Sequence, residues 1–145
     1  MILVLTIAAC GGDFETTTYT NNGEFQETTD ADAPLIGHAP VTDAQPEGAP
    51  VTILATVDDG DGGSGVLFVY LRFKNETGGA DAWRDAMMSD DGAGNWSGAI
   101  PGDAADNSAG VNYYIEAVDA NQNTSWAPTR GADDPFHYRV YPVDE

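Results

Sequence analysis

An acidic, glycine-rich segment, residues 58–65, offers oxygen atoms that suit a hard metal ion. It reads Asp-Asp-Gly-Asp-Gly-Gly-Ser-Gly, with carboxylates at Asp58, Asp59 and Asp61. Calcium prefers several carboxylate and carbonyl oxygens on a flexible turn, so these three residues are the candidate calcium ligands. The segment departs from an EF-hand loop because Gly63 occupies a ligand position. The alternative is a solvated turn between two strands, where aspartate and glycine are common.

Tryptophan side chains suggest a second chemistry, the stacking of aromatic rings on sugars. Trp83 and Trp126 flank predicted loops and are the candidate ligand-binding residues. Trp96 alternates with Ser97 ahead of Ile100, which places it in a predicted core. Exposed aromatic side chains on a strand face also suit a protein contact, so both kinds of partner, protein and glycan, stay open.

The residues needed for catalysis are sparse. The sequence has two histidines, His38 and His137, which lie at opposite ends of the predicted domain, and one cysteine, Cys10. Nucleophilic catalysis needs a base beside a serine or cysteine, and neither histidine belongs to a motif that provides one. A zinc site needs more cysteine and histidine ligands than the chain contains. We therefore predict that the protein is not an enzyme, and that calcium is its one candidate cofactor.

The net charge restricts the partners. The chain has 24 acidic and 5 basic residues among 145, a formal net charge of −19. A nucleic-acid-binding protein needs a basic surface, so nucleic acid is excluded as a partner. Such acidity keeps a protein soluble and separates its copies, which predicts a monomer. Adaptation to a saline habitat is the alternative explanation of the charge.

The first residues form a possible targeting signal. Residues 1–9 read MILVLTIAA and are followed directly by Cys10. Ile7-Ala8-Ala9-Cys10 resembles the bacterial lipobox, in which the cysteine becomes lipidated and begins the mature protein. None of the first nine residues is basic, whereas a signal peptide normally begins with a basic segment, so we expect a translation start further upstream. The resemblance implies a lipid-anchored protein of the cell envelope, at the outer membrane or the cell surface.

Composition divides the rest of the chain into a tether and a domain. Residues 10–33 are rich in threonine, asparagine and acidic residues and predict a flexible tether, although Thr16–Thr20 has the β-propensity of an edge strand. From residue 34 to residue 145, short apolar alternations recur between turn signals. The predicted inward faces include Val51 to Val57, Val69 to Phe73, and Val111 to Ala117. A first strand at Leu35–Thr42 brings the total to about seven strands, the pattern of an antiparallel sandwich.

One strand carries a more specific signature. Tyr113-Tyr114-Ile115-Glu116-Ala117-Val118-Asp119 resembles the penultimate strand of fibronectin type III and related immunoglobulin-like modules. The resemblance covers residues 34–143 and implies a seven-stranded all-β sandwich in which Tyr113 is a buried corner residue whose hydroxyl bonds to nearby backbone. Gln122 stands where the family often has glycine, and we expect Asn121 or Asn123 to adopt the left-handed conformation instead.

These modules share no active site, so the resemblance implies a non-catalytic interaction or spacer role at the cell surface. A calcium-binding or carbohydrate-binding module is the alternative.

Overall fold

The computed structural model describes residues 31–60, 63–105 and 109–143, together with the backbone of three strands nearer the N-terminus. Those three strands form an antiparallel sheet in the order β1-β2-β3. Their bounds are Leu3–Ala8 (β1), Phe14–Tyr19 (β2) and Phe25–Thr28 (β3). The strand at Phe14–Tyr19 agrees with the β-propensity of its threonines. Cys10 lies outside the described residues, and the division of residues 1–33 into a signal and a tether stays a prediction.

From residue 31 onward, the described chain is all-β, with no α-helix and three single turns of 3-10 helix at Ala80–Ala82, Gly102–Ala104 and Gly131–Asp133. No helix in this part is long and apolar enough to cross a membrane. Its strands are Leu35–Gly37 (β4), Gln45–Pro46 (β5), Val51–Asp58 (β6), Val66–Asn75 (β7), Arg84–Met87 (β8), Ser89–Asp90 (β9), Asn95–Ile100 (β10), Val111–Asp119 (β11), Thr124–Ala127 (β12), Phe136–Tyr138 (β13) and Val140–Tyr141 (β14).

Two antiparallel sheets hold most of these strands. One has the order β4-β6-β10-β9, and the other has the order β12-β11-β7-β8, with β13 also paired to β11. We call them the four-stranded and the five-stranded sheet. A small parallel pair, β14 with β5, lies beside them. The chain changes sheet at the buried residue Met88, because β8 pairs with β7 and β9 pairs with β10.

The two sheets bury one common core, and the predicted alternation is confirmed on both sides of it. On β6, every second residue from Val51 to Val57 is buried, and on β11 the same holds from Val111 to Asp119. The sheets meet closely: a Cβ atom on Gly98 of β10 would lie 3.4 Å from Leu71 of β7. Each fully buried aliphatic side chain of this kind stabilises the fold by about 1.5–3 kcal/mol.

Tyr113 is fully buried, as predicted, and its hydroxyl joins distant parts of the chain. The hydroxyl oxygen accepts the Val41 N–H at 3.0 Å and lies 2.9 Å from His38 Nε2. His38 Nδ1 lies 2.7 Å from the Leu54 carbonyl oxygen, which can only accept. Nδ1 must therefore donate to Leu54, and Nε2 then accepts the Tyr113 hydroxyl proton in the neutral ring. The backbone partner belongs to the segment after β4, not to the residues just before β11.

Two local predictions were wrong. The first strand was expected over Leu35–Thr42 but ends at Gly37, because His38 turns to Tyr113 and the following chain leaves β6. In the turn after β11, Gln122 itself has a positive φ of 67°, rather than Asn121 or Asn123. Asn123 is held by Asp119, whose carboxylate accepts both the Asn123 N–H and its side-chain N–H, so the turn places its left-handed residue one position earlier.

Candidate functional site

The outward side of the five-stranded sheet carries a group of aromatic rings. Because Val69, Leu71 and Phe73 point into the core, the alternate residues of β7 point outward. Their neighbours on β11 and β12 follow from the register, which pairs Tyr70 with Glu116 and Glu116 with Trp126. We call this surface the outer aromatic face, and its rings are Phe68, Tyr70, Trp83, Tyr114 and Trp126.

A chain of polar contacts crosses this face from edge to edge. Arg72 lies 3.5 Å from the Asp85 carboxylate of β8 and 3.0 Å from Glu116 Oε1 of β11. The second oxygen of Glu116 accepts the indole N–H of Trp126 on β12 at 2.9 Å. Four strands are thus linked by three contacts, and these contacts fix the orientation of the Trp126 ring.

The pKa of the Arg72 guanidinium reflects these contacts. Burial alone lowers the pKa of Arg72, but the hydrogen bond to Glu116 and the negative charges of Glu116 and Asp85 outweigh burial, and the net shift is upward. Arg72 therefore stays a cation, and its guanidinium also lies 5.1 Å from the centre of the Tyr70 ring. The charge at the centre of the face is both paired and stacked on an aromatic ring.

Trp83 extends the aromatic surface across the sheet. Its ring meets Tyr114 edge-on, with centroids 5.0 Å apart, and Lys74 Nζ lies 5.0 Å from the Trp83 ring centre. Burial raises the pKa of the Tyr114 hydroxyl, so this ring stays neutral. The two predicted ligand-binding residues, Trp83 and Trp126, are therefore brought to one face, and both lie beside Tyr114.

A groove borders the face at Trp126. The last strand is interrupted: β12 and β13 both pair with β11, while residues 128–135 leave the sheet between them. Gly131 lies so close to the Trp126 ring that an added Cβ would be 3.3 Å from Cγ, and its φ of +52° also favours glycine. The resulting groove has a volume of about 470 Å³. Its lining includes Tyr114, Glu116, Trp126, Thr129, Arg130 and Asp133.

Side chains of both charges belong to the face and the groove. The cations that belong to them are Arg72, Lys74 and Arg130, and the anions are Asp85, Glu116 and Asp133. Three of the 5 basic residues of the sequence are thus among these residues, in equal number to the carboxylates named with them. The chain as a whole carries −19.

The predicted calcium ligands are only partly described. Asp58 Oδ1 accepts the Gly60 N–H at 2.9 Å, and Asp59 Oδ2 accepts the Gly65 N–H at 2.6 Å. Asp61 lies outside the described residues. Within residues 31–60, 63–105 and 109–143, no group of three or more histidine, cysteine, aspartate or glutamate residues is placed to hold a metal ion. The calcium site at Asp58, Asp59 and Asp61 therefore stays a prediction.

The histidines have structural partners. His38 is bound to Leu54 and Tyr113, as described above, and His137 Nε2 lies 2.6 Å from the Glu76 carboxylate. That contact and hydrogen bonding from Gly110 lower the pKa of the Glu76 carboxyl, with the Gly110 bond the larger cause. Trp96 is partly buried against the core, as its alternation predicted.

Sequence reasoning missed the groove and the charged residues that link the rings. Pro128, Gly131 and Pro135 are turn-forming residues between Trp126 and Phe136, and they were the available signal for the segment that leaves the sheet. Arg72 and Glu116 occupy outward positions of predicted strands, but only the register shows that they meet.

Comparison with known proteins gives no family assignment: no protein-family model matches the chain, and no curated protein matches it.

Proposed function

We propose that this protein is a non-catalytic module of immunoglobulin-like, fibronectin type III-like architecture, anchored in the bacterial cell envelope by a lipid on Cys10, which binds a partner through the outer aromatic face. The strand order supports the architecture. The order β4-β6-β10-β9 corresponds to A-B-E-D of an immunoglobulin-type sandwich, and β12-β11-β7 corresponds to G-F-C. In this correspondence β8 is an additional strand beside C, and β12 with β13 forms the interrupted last strand.

The outer aromatic face is the observation that carries the binding role. Three of the eight exposed large hydrophobic side chains among the described residues lie on it, Trp126 at 42%, Phe68 at 38% and Met87, opposite Tyr70, at 62% exposure. Aromatic residues and arginine are enriched where proteins make contacts. A pure spacer would not need a surface of this composition, so binding is the better explanation.

Retention on cell envelopes tests this role. The full-length chain carrying Cys10→Ser, which keeps a lipid anchor out of the assay, is incubated with envelopes of the source bacterium and sedimented. We expect the pair Trp126→Ala and Met87→Ala to abolish retention. The control pair is Tyr141→Ala and Leu54→Ala, whose side chains are exposed to 48% and 65% outside this face. Equal retention of the two double variants would contradict the proposal.

The anchor is tested separately. A radiolabelled fatty acid fed to cells that produce the full chain from its native start should label the parent protein. The label should be lost in Cys10→Ser, because the thiol is the site of attachment. Equal labelling of the parent and Cys10→Ser rules out lipidation at this residue and leaves the binding face untouched.

A further inference from the structure

Two rings of the outer aromatic face, Phe68 and Trp126, are exposed to a ligand. Trp126 is 42% exposed, yet its N–H is already donated to Glu116, so its ring surface is what it offers. Phe68 lies beside Tyr70 with ring centroids 6.0 Å apart. Flat aromatic surfaces of this kind pack well against other apolar surfaces, including the C–H faces of sugar rings.

Polar groups of both kinds lie between and beside these rings. Glu116 and Asp133 offer acceptor oxygens, Arg72 and Arg130 offer donor N–H groups, and Thr129 in the groove offers a hydroxyl. A sugar hydroxyl both donates and accepts hydrogen bonds, so a ligand with many hydroxyls can use donors and acceptors together. A purely apolar ligand would instead exclude water from these charged groups, at a substantial cost in free energy.

The charge balance favours an uncharged ligand. An anionic polymer would be repelled by a chain of net charge −19. A cationic ligand would meet the cations Arg72, Lys74 and Arg130 on this surface, which oppose its binding. A neutral ligand meets neither repulsion.

The position of the ion pairs also separates a glycan from a protein partner. Two carboxylates, Asp85 and Glu116, lie with Arg72 at the centre of the face, whereas aspartate and glutamate are depleted in protein interfaces although arginine is enriched there. Covering paired charges with a dry protein surface removes their hydration. Hydroxyl groups of a glycan replace that hydration with hydrogen bonds.

From these observations we infer that the ligand of the outer aromatic face and its groove is a neutral polysaccharide chain. The inference rests on the proposed function, because it takes the outer aromatic face as the binding surface. Four strands at a spacing of about 4.8 Å make a platform roughly 14 Å wide, which accommodates a short run of sugar rings. The groove volume of about 470 Å³ lies within the range of ligand-binding pockets, about 300–1,000 Å³, and places Trp126 at one end of the platform.

Selective destruction of sugars or proteins on the envelopes tests the inference. Envelopes are treated with periodate, which cleaves vicinal diols, or with protease, and are then washed before the Cys10→Ser chain is added. We expect periodate to remove retention. Retention that survives periodate but is lost after protease overturns the glycan inference and leaves the binding face in place. If the parent chain is not retained on untreated envelopes, or if Trp126→Ala with Met87→Ala does not change its retention, both the glycan inference and the proposed binding role of the outer aromatic face are overturned.

Binding to pure polysaccharides is a second test of the glycan inference. The same chain is sedimented with cellulose, chitin, xylan and mannan, and with alginate as a polyanion. We expect retention on at least one neutral polymer, weakened about tenfold by Trp126→Ala and by Arg130→Ala. The matched controls, Tyr141→Ala and Arg139→Ala, should bind as the parent does, and circular dichroism melts should show that all four variants fold. Retention on none of the neutral polymers, or on alginate alone, overturns the inference.

Discussion

The outward faces of the two large sheets differ sharply although their inward faces are built alike. On the four-stranded sheet, β6 presents Thr52, Leu54, Thr56 and Asp58, all exposed. On the five-stranded sheet, the outward residues of β11 are half-buried, because rings and ion pairs on neighbouring strands cover one another. The inward residues of both strands form one core, whereas aromatic rings lie on the outer surface of the five-stranded sheet and not on that of the four-stranded sheet. The inward residues of the sheets therefore stabilise the fold, whereas the rings on the outward side of the five-stranded sheet form the surface that we propose binds a partner.

The largest expected effect comes from the core that both sheets share. Tyr113→Ala removes a fully buried ring and the hydroxyl that binds Val41 and His38, and should lower the free energy of unfolding by about 3–5 kcal/mol. Tyr114→Ala, one residue along and facing outward, should cost less than half as much. Urea denaturation of both variants measures the difference. Equal losses would mean that the inward and outward residues of β11 contribute alike to stability, and would contradict this prediction.

A second prediction compares two similar turns, one in each sheet. Asp119 binds Asn123 in the five-stranded sheet, and Asp91 binds Asn95 beside the four-stranded sheet, each through backbone and side-chain N–H groups. Asp119 is fully buried, whereas Asp91 is exposed. Asp119→Ala leaves the partly buried N–H groups of Asn123 without this acceptor and should cost about 1–3 kcal/mol. Asp91→Ala should cost clearly less, because water can replace the carboxylate. Chemical denaturation measures both losses, and a larger loss in Asp91→Ala than in Asp119→Ala would contradict this prediction.

Alkaline pH should weaken the side of the core that lies under the five-stranded sheet. Burial, with the nearby Tyr113 ring adding to it, raises the pKa of the Tyr138 hydroxyl to about 12. The unfolded chain ionises this group near pH 10, so the stability it contributes is complete below pH 10 and declines as pH rises toward 12. The slope should be about 1.4 kcal/mol per pH unit for this group.

Tyr138→Phe provides the control for that pH dependence. This variant removes the titrating hydroxyl and should flatten the alkaline decline, whereas Tyr141→Phe, at an exposed position, should leave it unchanged. Urea midpoints measured from pH 8 to pH 11.5 give the comparison. An equally steep decline in Tyr138→Phe would show that other groups cause it.

The inward faces could be predicted from the sequence, because alternation is a local property. The residues Val51 to Val57 and Val111 to Ala117 were assigned to the core by their period alone, and the structure confirms them. The turn at Gln122 was misplaced because its conformation depends on which side chain Asp119 holds. Local propensity does not encode that choice.

The residues of the candidate site could be predicted from the sequence, but their common face and the groove could not. Trp83 and Trp126 could be chosen as residues beside loops, but they lie 43 positions apart in the sequence. Their common face follows from the pairing of β7 with β8 and of β11 with both β7 and β12. The groove likewise requires that β12 and β13 pair with the same strand on either side of residues 128–135. Such long-range pairing is set by the whole core and not by the residues of the site.

The smallest expected effect concerns the polar contacts that cross the outer aromatic face. Arg72 and Glu116 side chains are 30% and 19% exposed, so their ion pair is partly screened by water. In a double-mutant cycle of Arg72→Met and Glu116→Gln, we expect a coupling energy of roughly 0.5–1 kcal/mol, since partly exposed pairs rarely contribute more. Leu54→Ala, on the outward face of the four-stranded sheet, should change stability by no more than about 0.5 kcal/mol.

The fluorescence of Trp126 shows whether these contacts also orient its ring. Both Arg72→Met and Glu116→Gln should increase the quenching of this fluorescence by acrylamide, because Glu116 no longer holds the indole N–H as firmly. Unchanged quenching together with zero coupling would mean that the ring is held by Gly131 and the groove alone, and that the ion pairs do not orient it.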